Sequence, residues 1–208
     1  MRIHFLSVDL QYDFTQPGGK HYNPKRSCLK FIRGTLIPYF EKHVPAEQPT
    51  EQSLNEIISD YRLPRPGDEY HSCDPGEPGY TSEFASHLLE HQWVKCMNSP
   101  IFTREGIGRP HAKPGLPYPD GAGFAKWIKQ IEPDPACPHM FVIFGLTLEC
   151  CVLCTAQMLR MLGYNPRILL QATDTYDGNA ESKRLTQRLV VDNWAKAVTW
   201  NQVLDEVG

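Results

Sequence analysis

Short apolar segments alternate with amphipathic segments along almost the whole chain, and this alternation constrains the fold most. Residues 3–8 are mostly apolar and residues 140–146 are continuously apolar, and both have the length expected for buried strands. The same reasoning predicts further strands and helices: strands at 54–59, 93–97, 167–172 and 197–200, and helices at 25–42, 81–90, 121–131, 150–162 and 182–196. Alternating strands and helices predict an α/β fold, a doubly wound, mostly parallel central sheet with helices on both faces. The length of 208 residues suits one domain spanning 1–208.

Charge and hydropathy exclude several classes of partner. The net charge of -3 offers no basic surface for nucleic acid or anionic lipid. The longest strongly apolar stretch, 140–148, is far shorter than the ~20 residues that cross a bilayer. Asp9 interrupts the N-terminal apolar run, which we interpret as a strand and not a signal peptide. With seven cysteines, an odd number, reduced thiols in the cytoplasm are the expectation.

Three predicted strands carry polar residues at or near their ends. Asp9 follows the first strand, Lys95 lies within strand 93–97, and the strand at 140–146 leads through Gly145 to Cys151. In open parallel sheets, ligands bind beyond the carboxyl ends of the strands. If these strands are neighbours, their polar residues meet there. Otherwise Lys95 lies on an exposed edge and Asp9 needs another partner.

Cys151 lies in the first turn of a predicted helix, where unpaired N–H groups favour a thiolate and an oxyanion. A cysteine beside a core strand is, alternatively, a small buried apolar residue. Cys150 points ~100° away and cannot share the same pocket. Cys154 lies one turn further, so Cys151 and Cys154 also fit a redox pair or half of a zinc site.

Four segments together resemble the isochorismatase-like cysteine hydrolases. VDLQYDF (8–14) resembles their first signature, and VKCMNSPIFT (94–103) resembles their lysine segment. FGLTLECCVLCTA (144–156) resembles their nucleophile signature, and ATDTYDG (172–178) resembles their later strand ending in aspartate. The segments occur in the family's order. The family includes nicotinamidases, N-carbamoylsarcosine amidohydrolases and isochorismatases proper, which split a vinyl ether and lack the cysteine.

The resemblance implies a doubly wound fold and a catalytic triad of Asp9, Lys95 and Cys151. It also implies a cis peptide before Thr147 and an oxyanion hole formed by the backbone N–H groups of Thr147 and Cys151. Family members are usually dimers or tetramers, so we expect a homo-oligomer that acts on a small molecule without a cofactor. Three further residues are candidates for lining the pocket, with loop and core packing as the alternative: Gln11, Phe14 and Phe102.

One departure from the family concerns metal binding. Metal-binding nicotinamidases carry Asp-x-His after the second strand, whereas this chain has Asp60-Tyr61-Arg62. His71 lies near the place of a later histidine, out of register by one residue. A guanidinium repels a cation, and one histidine is not a site. We therefore predict no metal, and nicotinamidase activity is not expected.

The sequence thus predicts a cysteine-dependent hydrolase of a small amide-type C–N bond, acting through a thioester. Three alternatives remain at this point. The first is vinyl-ether hydrolysis, which the presence of Cys151 disfavours. The second is a catalytically silent member that acts as a binding module, and the third is a thiol redox protein using Cys151 and Cys154.

Overall fold

The structure is a computed structural model and describes residues 1–44, 51–63, 69–132, 138–189 and 191–207. Its strands in chain order are β1 Arg2–Val8, β2 Gln52–Ser59, β3 His91–Lys95, β4 Phe102–Thr103, β5 Tyr118–Pro119, β6 His139–Leu146, β7 Arg167–Asp174 and β8 Lys196–Val198. Its α-helices are α1 Tyr12–Thr15, α2 Cys28–Phe31, α3 Ile37–His43, α4 Gly121–Ile131, α5 Leu153–Met161, α6 Ala180–Leu189 and α7 Trp200–Val207. π-Helical turns at Ile32–Leu36 and Leu148–Val152 precede α3 and α5.

The central sheet has six parallel strands in the order β3-β2-β1-β6-β7-β8. The order reverses between β1 and β6, which makes that junction the topological switch point where α/β sheets bind ligands. Apolar side chains cover both faces. Phe5 of β1 packs on one face with Phe40 and Phe144, and Leu6 packs on the other with Phe124. The predicted three-layer, doubly wound α/β fold is confirmed.

Some of the predicted helices form with the expected bounds, and others are shorter or interrupted. The helix predicted at 121–131 is α4, whose N-terminus is capped by the Asp120 carboxylate accepting from the Gly123 N–H. The helix predicted at 25–42 is broken by a π-helical turn just before Pro38, which has no N–H to continue the α-helical ladder. The helix predicted at 150–162 begins with a π-helical turn, and that predicted at 182–196 ends at Leu189. The helices α1 and α7 were not predicted.

The helix predicted at 81–90 is wrong. The chain there pairs instead with the loop after β1: the Tyr12 N–H donates to the Thr81 carbonyl, and the Glu83 N–H to the Leu10 carbonyl. Only a short 3₁₀ turn forms, at Ser86–Leu88. Tertiary hydrogen bonds have overridden helix propensity here.

The described helices include none that combines the length and the apolar character needed to cross a membrane.

Gly145 allows the backbones of β1 and β6 to lie close together. It pairs with Val8, one residue before Asp9, and has a φ of +122°. A Cβ built there would lie 2.1 Å from the Val8 carbonyl oxygen, a distance that backbone atoms cannot accommodate. Glycine is therefore required where the first and sixth strands deliver their polar ends.

The substitution Gly145→Ala is expected to lower the free energy of unfolding by at least about 2 kcal/mol, because it adds a backbone clash to an unfavourable φ. Gly163→Ala is the matched control, since Gly163 also has a positive φ of +93° but has no atom within 4 Å of the added Cβ. The control should lose only the conformational part, about 1 kcal/mol. Urea unfolding followed by circular dichroism measures both, and equal losses would contradict the clash.

Candidate active site

Asp9, Lys95 and Cys151 meet at the carboxyl edge of the sheet. Asp9 follows β1 directly, Lys95 is the last residue of β3, and Cys151 lies in the π-helical turn after β6. β1 and β3 are not neighbours, because β2 runs between them. Ser59, the last residue of β2, is in register with Lys95. Its small side chain allows the lysine to reach across β2 to Asp9.

The Lys95 ammonium is the centre of this cluster. Its Nζ lies 2.8 Å from Asp9 Oδ2, 2.6 Å from Ser59 Oγ, 2.8 Å from the Tyr61 hydroxyl and 3.4 Å from Cys151 Sγ. The Ser59 hydroxyl donates in turn to Asp9 Oδ1 at 2.7 Å. Lys95 and Asp9 are fully buried, and Cys151 is 4% exposed. The cluster is a desolvated ion pair with a thiol at its side.

Burial and charge set the protonation states of this cluster. Burial lowers the pKa of Lys95, but the facing charge of Asp9 outweighs it and the pKa ends well above its ordinary value. Burial, reinforced by the Asp9 charge, raises the pKa of Cys151 to about 12, although the Lys95 charge acts in the opposite direction. The resting thiol is therefore neutral. Burial outweighs the thiolate stabilisation that the start of a helix offers.

The backbone is unusual at two points of the site. Asp9 has a φ of +51°, a left-handed conformation that is uncommon outside glycine and concentrates at functional sites. The peptide between Leu146 and Thr147 is cis, so the predicted cis bond before Thr147 is confirmed. Thr147 is buried, and its carbonyl accepts from the N–H groups of Cys150 and Val152. The oxyanion role of the Thr147 and Cys151 N–H groups stays a prediction.

Sequence reasoning missed Tyr61, Ser59 and Asn98. The fully buried Tyr61 has its hydroxyl 3.6 Å from Cys151 Sγ, and Asn98 Oδ1 lies 3.8 Å from the same sulfur. Tyr61 is the middle residue of the Asp60-Tyr61-Arg62 segment, which stands where metal-binding nicotinamidases carry Asp-x-His. The sequence signal that could have identified Tyr61 is its position just beyond the end of β2, a strand that ends beside the site.

The three candidate pocket residues occupy different settings. Gln11 is fully buried, and its side-chain amide donates to the Ser59 carbonyl at 2.9 Å and accepts from the Ser59 N–H at 2.8 Å. Phe14 is buried and stacks on His21 with ring centroids 4.9 Å apart. Phe102 is half-buried in β4. Gln11 thus ties β2 to the loop after β1, and the substrate contacts of all three stay predictions.

The Asp60 carboxylate accepts hydrogen bonds from two guanidinium groups. It accepts from Arg62 Nη2 at 2.7 Å, from Arg104 Nη2 at 2.6 Å and from the Gly108 N–H at 2.9 Å. Burial raises the pKa of Asp60, but these hydrogen bonds and charges, that from Arg62 first, bring it below its ordinary value. His71 pairs instead with Asp74 at 2.5 Å.

These contacts do not suit a metal ion. Two cations, the buried Arg104 and the partly exposed Arg62, already neutralise the Asp60 carboxylate, and a third would be repelled. Among the residues that the structure describes, no three His, Cys, Asp or Glu side chains are grouped to hold a metal. The expectation of a site without metal stays a prediction, now with a physical reason.

Comparison with solved structures places this architecture in a known class. An isochorismatase-like hydrolase from Alkaliphilus metalliredigens matches over 100% of both chains, with a TM-score of 0.68 and 18% identity. Pyrazinamidase of Pyrococcus horikoshii, solved in complex with zinc, matches over 96% of this chain and 100% of its own, at 0.65 and 18%. N-carbamoylsarcosine amidase from Thermoplasma acidophilum matches over 96% of both chains, at 0.57 and 14%.

The chain therefore has the isochorismatase-like α/β fold, as its motifs predicted. A scan against family models finds no match, and no curated protein matches by sequence. At these identities the likeness establishes the fold, and the chemistry has to be argued from the site itself.

Replacing Asp60 by Asn is expected to cost about 3–5 kcal/mol of unfolding free energy at pH 7, because it leaves the largely buried Arg62 and Arg104 without a counter-charge. The folded pKa of Asp60 lies below its unfolded value of ~3.9. Its contribution is thus complete above pH ~4 and is lost as the pH falls through the folded pKa. Urea unfolding between pH 7 and 3 should show the difference from wild type shrinking only in acid.

Glu181→Gln is the control for this experiment, since it removes an exposed carboxylate that pairs with Arg184. It should leave the unfolding midpoint unchanged at every pH. A difference between wild type and Asp60→Asn that is absent at pH 7, or that does not change with pH, would contradict the role assigned to Asp60.

Proposed function

We propose that the protein is a cysteine-dependent hydrolase that cleaves a C–N bond in a small amide-type substrate. The observation that carries the proposal is the buried contact of one ammonium, Lys95 Nζ, with both the Asp9 carboxylate at 2.8 Å and Cys151 Sγ at 3.4 Å. A nucleophile and a base held by one cation are the requirements of acyl transfer. Of the three helix-start cysteines, Cys151 is the one whose sulfur contacts Lys95.

The first step in the proposal is proton transfer. The Cys151 thiol is neutral at rest because burial raises its pKa, so it needs a base in the site. Asp9 is the proposed base, since its charge acts on the Cys151 thiol and its two oxygens are held in place by Lys95 and Ser59. The Lys95 ammonium keeps its protons and balances the negative charge as it moves from oxygen to sulfur.

The thiolate then attacks the substrate carbonyl carbon and forms a C–S bond, while the carbonyl electrons move onto oxygen. The N–H groups of Thr147 and Cys151 are proposed to stabilise this oxyanion, at roughly 3–4 kcal/mol for a good donor. As the C–N bond breaks, protonated Asp9 gives its proton to the leaving nitrogen. Water, deprotonated by Asp9, then attacks the thioester and restores the thiol.

Two further observations support a small substrate. Cys151 is only 4% exposed, which disfavours a folded protein or a nucleic acid as the molecule attacked. Structures named as pyrazinamidase and as N-carbamoylsarcosine amidase share the fold. A homo-oligomer, dimer or tetramer, with no cofactor is part of the proposal and rests on the resemblance, whereas the proposed cytoplasmic location rests on the odd number of cysteines.

The test is ammonia release from a panel of small primary amides, ureido acids and lactams. Wild-type protein should hydrolyse at least one member, and Cys151→Ala should be slower by about 10³-fold or more, because it removes the nucleophile. Cys154→Ser is the matched control, as it changes a half-buried thiol one turn away. It should retain activity, whereas a redox protein using both thiols would lose its function.

Other outcomes favour the alternatives. Equal hydrolysis by wild type and Cys151→Ala would rule out the nucleophile assignment. Cleavage of a vinyl ether that survives Cys151→Ala would indicate isochorismatase-type chemistry. Binding of a panel compound by wild type with no turnover would indicate a silent member that acts as a binding module.

A further inference from the structure

Tyr61 places a fourth polar group against the proposed nucleophile. Its side chain is fully buried, and its hydroxyl lies 2.8 Å from Lys95 Nζ, 3.6 Å from Cys151 Sγ and 3.5 Å from the Met97 carbonyl oxygen. Its backbone is fixed by a pair of hydrogen bonds with Ser72. The phenol is therefore built into the site wall.

Counting protons shows what this hydroxyl can do. An ammonium has three N–H donors, and Lys95 faces four atoms that can accept. Three are oxygens at 2.6–2.8 Å, and the fourth is the sulfur at 3.4 Å. The Ser59 hydroxyl donates its one hydrogen bond to Asp9, so it can only accept a hydrogen bond from Lys95. With three donors shared among four acceptors, the sulfur at 3.4 Å has the longest contact with Lys95, so a second donor would add to its stabilisation.

The Tyr61 hydroxyl has that donor available. Because it accepts from Lys95, its own proton points away from the ammonium, and the Met97 carbonyl and Cys151 Sγ are among the acceptors within its reach. The carbonyl is neutral throughout, whereas the sulfur becomes negative once its proton has moved. Hydrogen bonds to an ionised acceptor are roughly twice as strong as those to a neutral one. The Tyr61 O–H should therefore hydrogen-bond the sulfur rather than the Met97 carbonyl once the thiolate has formed.

We propose that Tyr61 is a further catalytic residue that donates a hydrogen bond from its O–H to the Cys151 thiolate. At the same time its oxygen accepts a hydrogen bond from Lys95, which makes the O–H a stronger donor. The inference rests on the proposed function and adds a residue to it. The proton balance is closed: the thiol proton goes to Asp9, Lys95 keeps three protons, and Tyr61 keeps its own. No covalent bond to the phenol forms or breaks.

The electrostatics of the site agree. Burial and the Asp9 charge raise the pKa of Cys151, and the hydrogen bond with Tyr61 is among the contacts that lower it. Removing the phenol oxygen should therefore make the thiolate rarer, although it also removes one of the acceptors of Lys95.

The experiment is the rate of Cys151 alkylation by iodoacetamide at pH 7, 8 and 9, followed by peptide mass spectrometry. Tyr61→Phe keeps the ring and is expected to slow alkylation by about 10-fold or more at each pH, because a hydrogen bond to a charged group is lost. Tyr39→Phe is the matched control: its hydroxyl donates to Gln52 Oε1 at 2.8 Å, outside the cluster. The control should alkylate at the wild-type rate, and a Tyr61→Phe rate equal to or above wild type would overturn the proposal.

A second variant covers the case in which Tyr61→Phe does not fold. Incorporation of 3-fluorotyrosine at position 61 retains the ring and the hydroxyl and makes the phenol a stronger donor. Alkylation should then be faster than in wild type. An unchanged or slower rate would overturn the proposal, since a phenol that only accepts from Lys95 would be weakened by fluorine.

The readout separates this inference from the proposed function because alkylation needs no substrate. If Cys151→Ala abolishes amide hydrolysis while Tyr61→Phe alkylates normally, the hydrolase stands and the role of Tyr61 falls. If no amide is hydrolysed but Tyr61→Phe slows alkylation, the donor stands and the reaction class falls. With an active substrate, kcat/KM of Tyr61→Phe should fall by about 10- to 100-fold.

Discussion

A buried ammonium facing a buried carboxylate is the interaction on which the site depends. Moving both charges of Lys95 and Asp9 out of water costs several kcal/mol per ion, which their attraction offsets only where further hydrogen bonds satisfy the remaining donors and acceptors. Such hydrogen bonds are present here: Ser59 bridges Lys95 and Asp9, and the Tyr61 hydroxyl accepts another hydrogen bond from the ammonium. The pair fixes the geometry of the strand ends, because none of these side chains can move without exposing an unpaired charge.

A second charged cluster, adjoining the first through β2, holds a wall of the site. Arg62 directs all five of its N–H donors to partners: the two oxygens of Asp60 and the carbonyls of Gly106, Arg109 and Ala112. A guanidinium so fully used has no donor left for a substrate. Its role is to bind the segment after β4 to the end of β2. The cation at this place is therefore part of the framework of the site.

The fold was predictable because it depends on local pattern, and the three proposed reactive residues were predictable because their segments resemble those of a known family. Buried parallel strands read as continuous apolar runs, and the glycine before the nucleophile turn is demanded by contact with Val8. Tyr61 and Ser59 could not be assigned in this way. Their roles depend on β2 lying between β1 and β3, a tertiary relation that no short segment contains. The failed helix at 81–90 has the same origin, since its backbone donors are used by a distant loop.

The raised pKa of Cys151 fits a nucleophile that is made only when needed. With a pKa of about 12, releasing its proton to water at pH 7 would cost on the order of 7 kcal/mol, so a free thiolate is rare. Transfer to Asp9 would remove the part of that cost that the Asp9 charge causes, and the negative charge would stay beside the Lys95 ammonium. A thiolate of high pKa is also intrinsically more nucleophilic than one of low pKa. In the proposed mechanism, the site thus keeps a protonated thiol at rest and forms a strong nucleophile by proton transfer to Asp9 during the reaction.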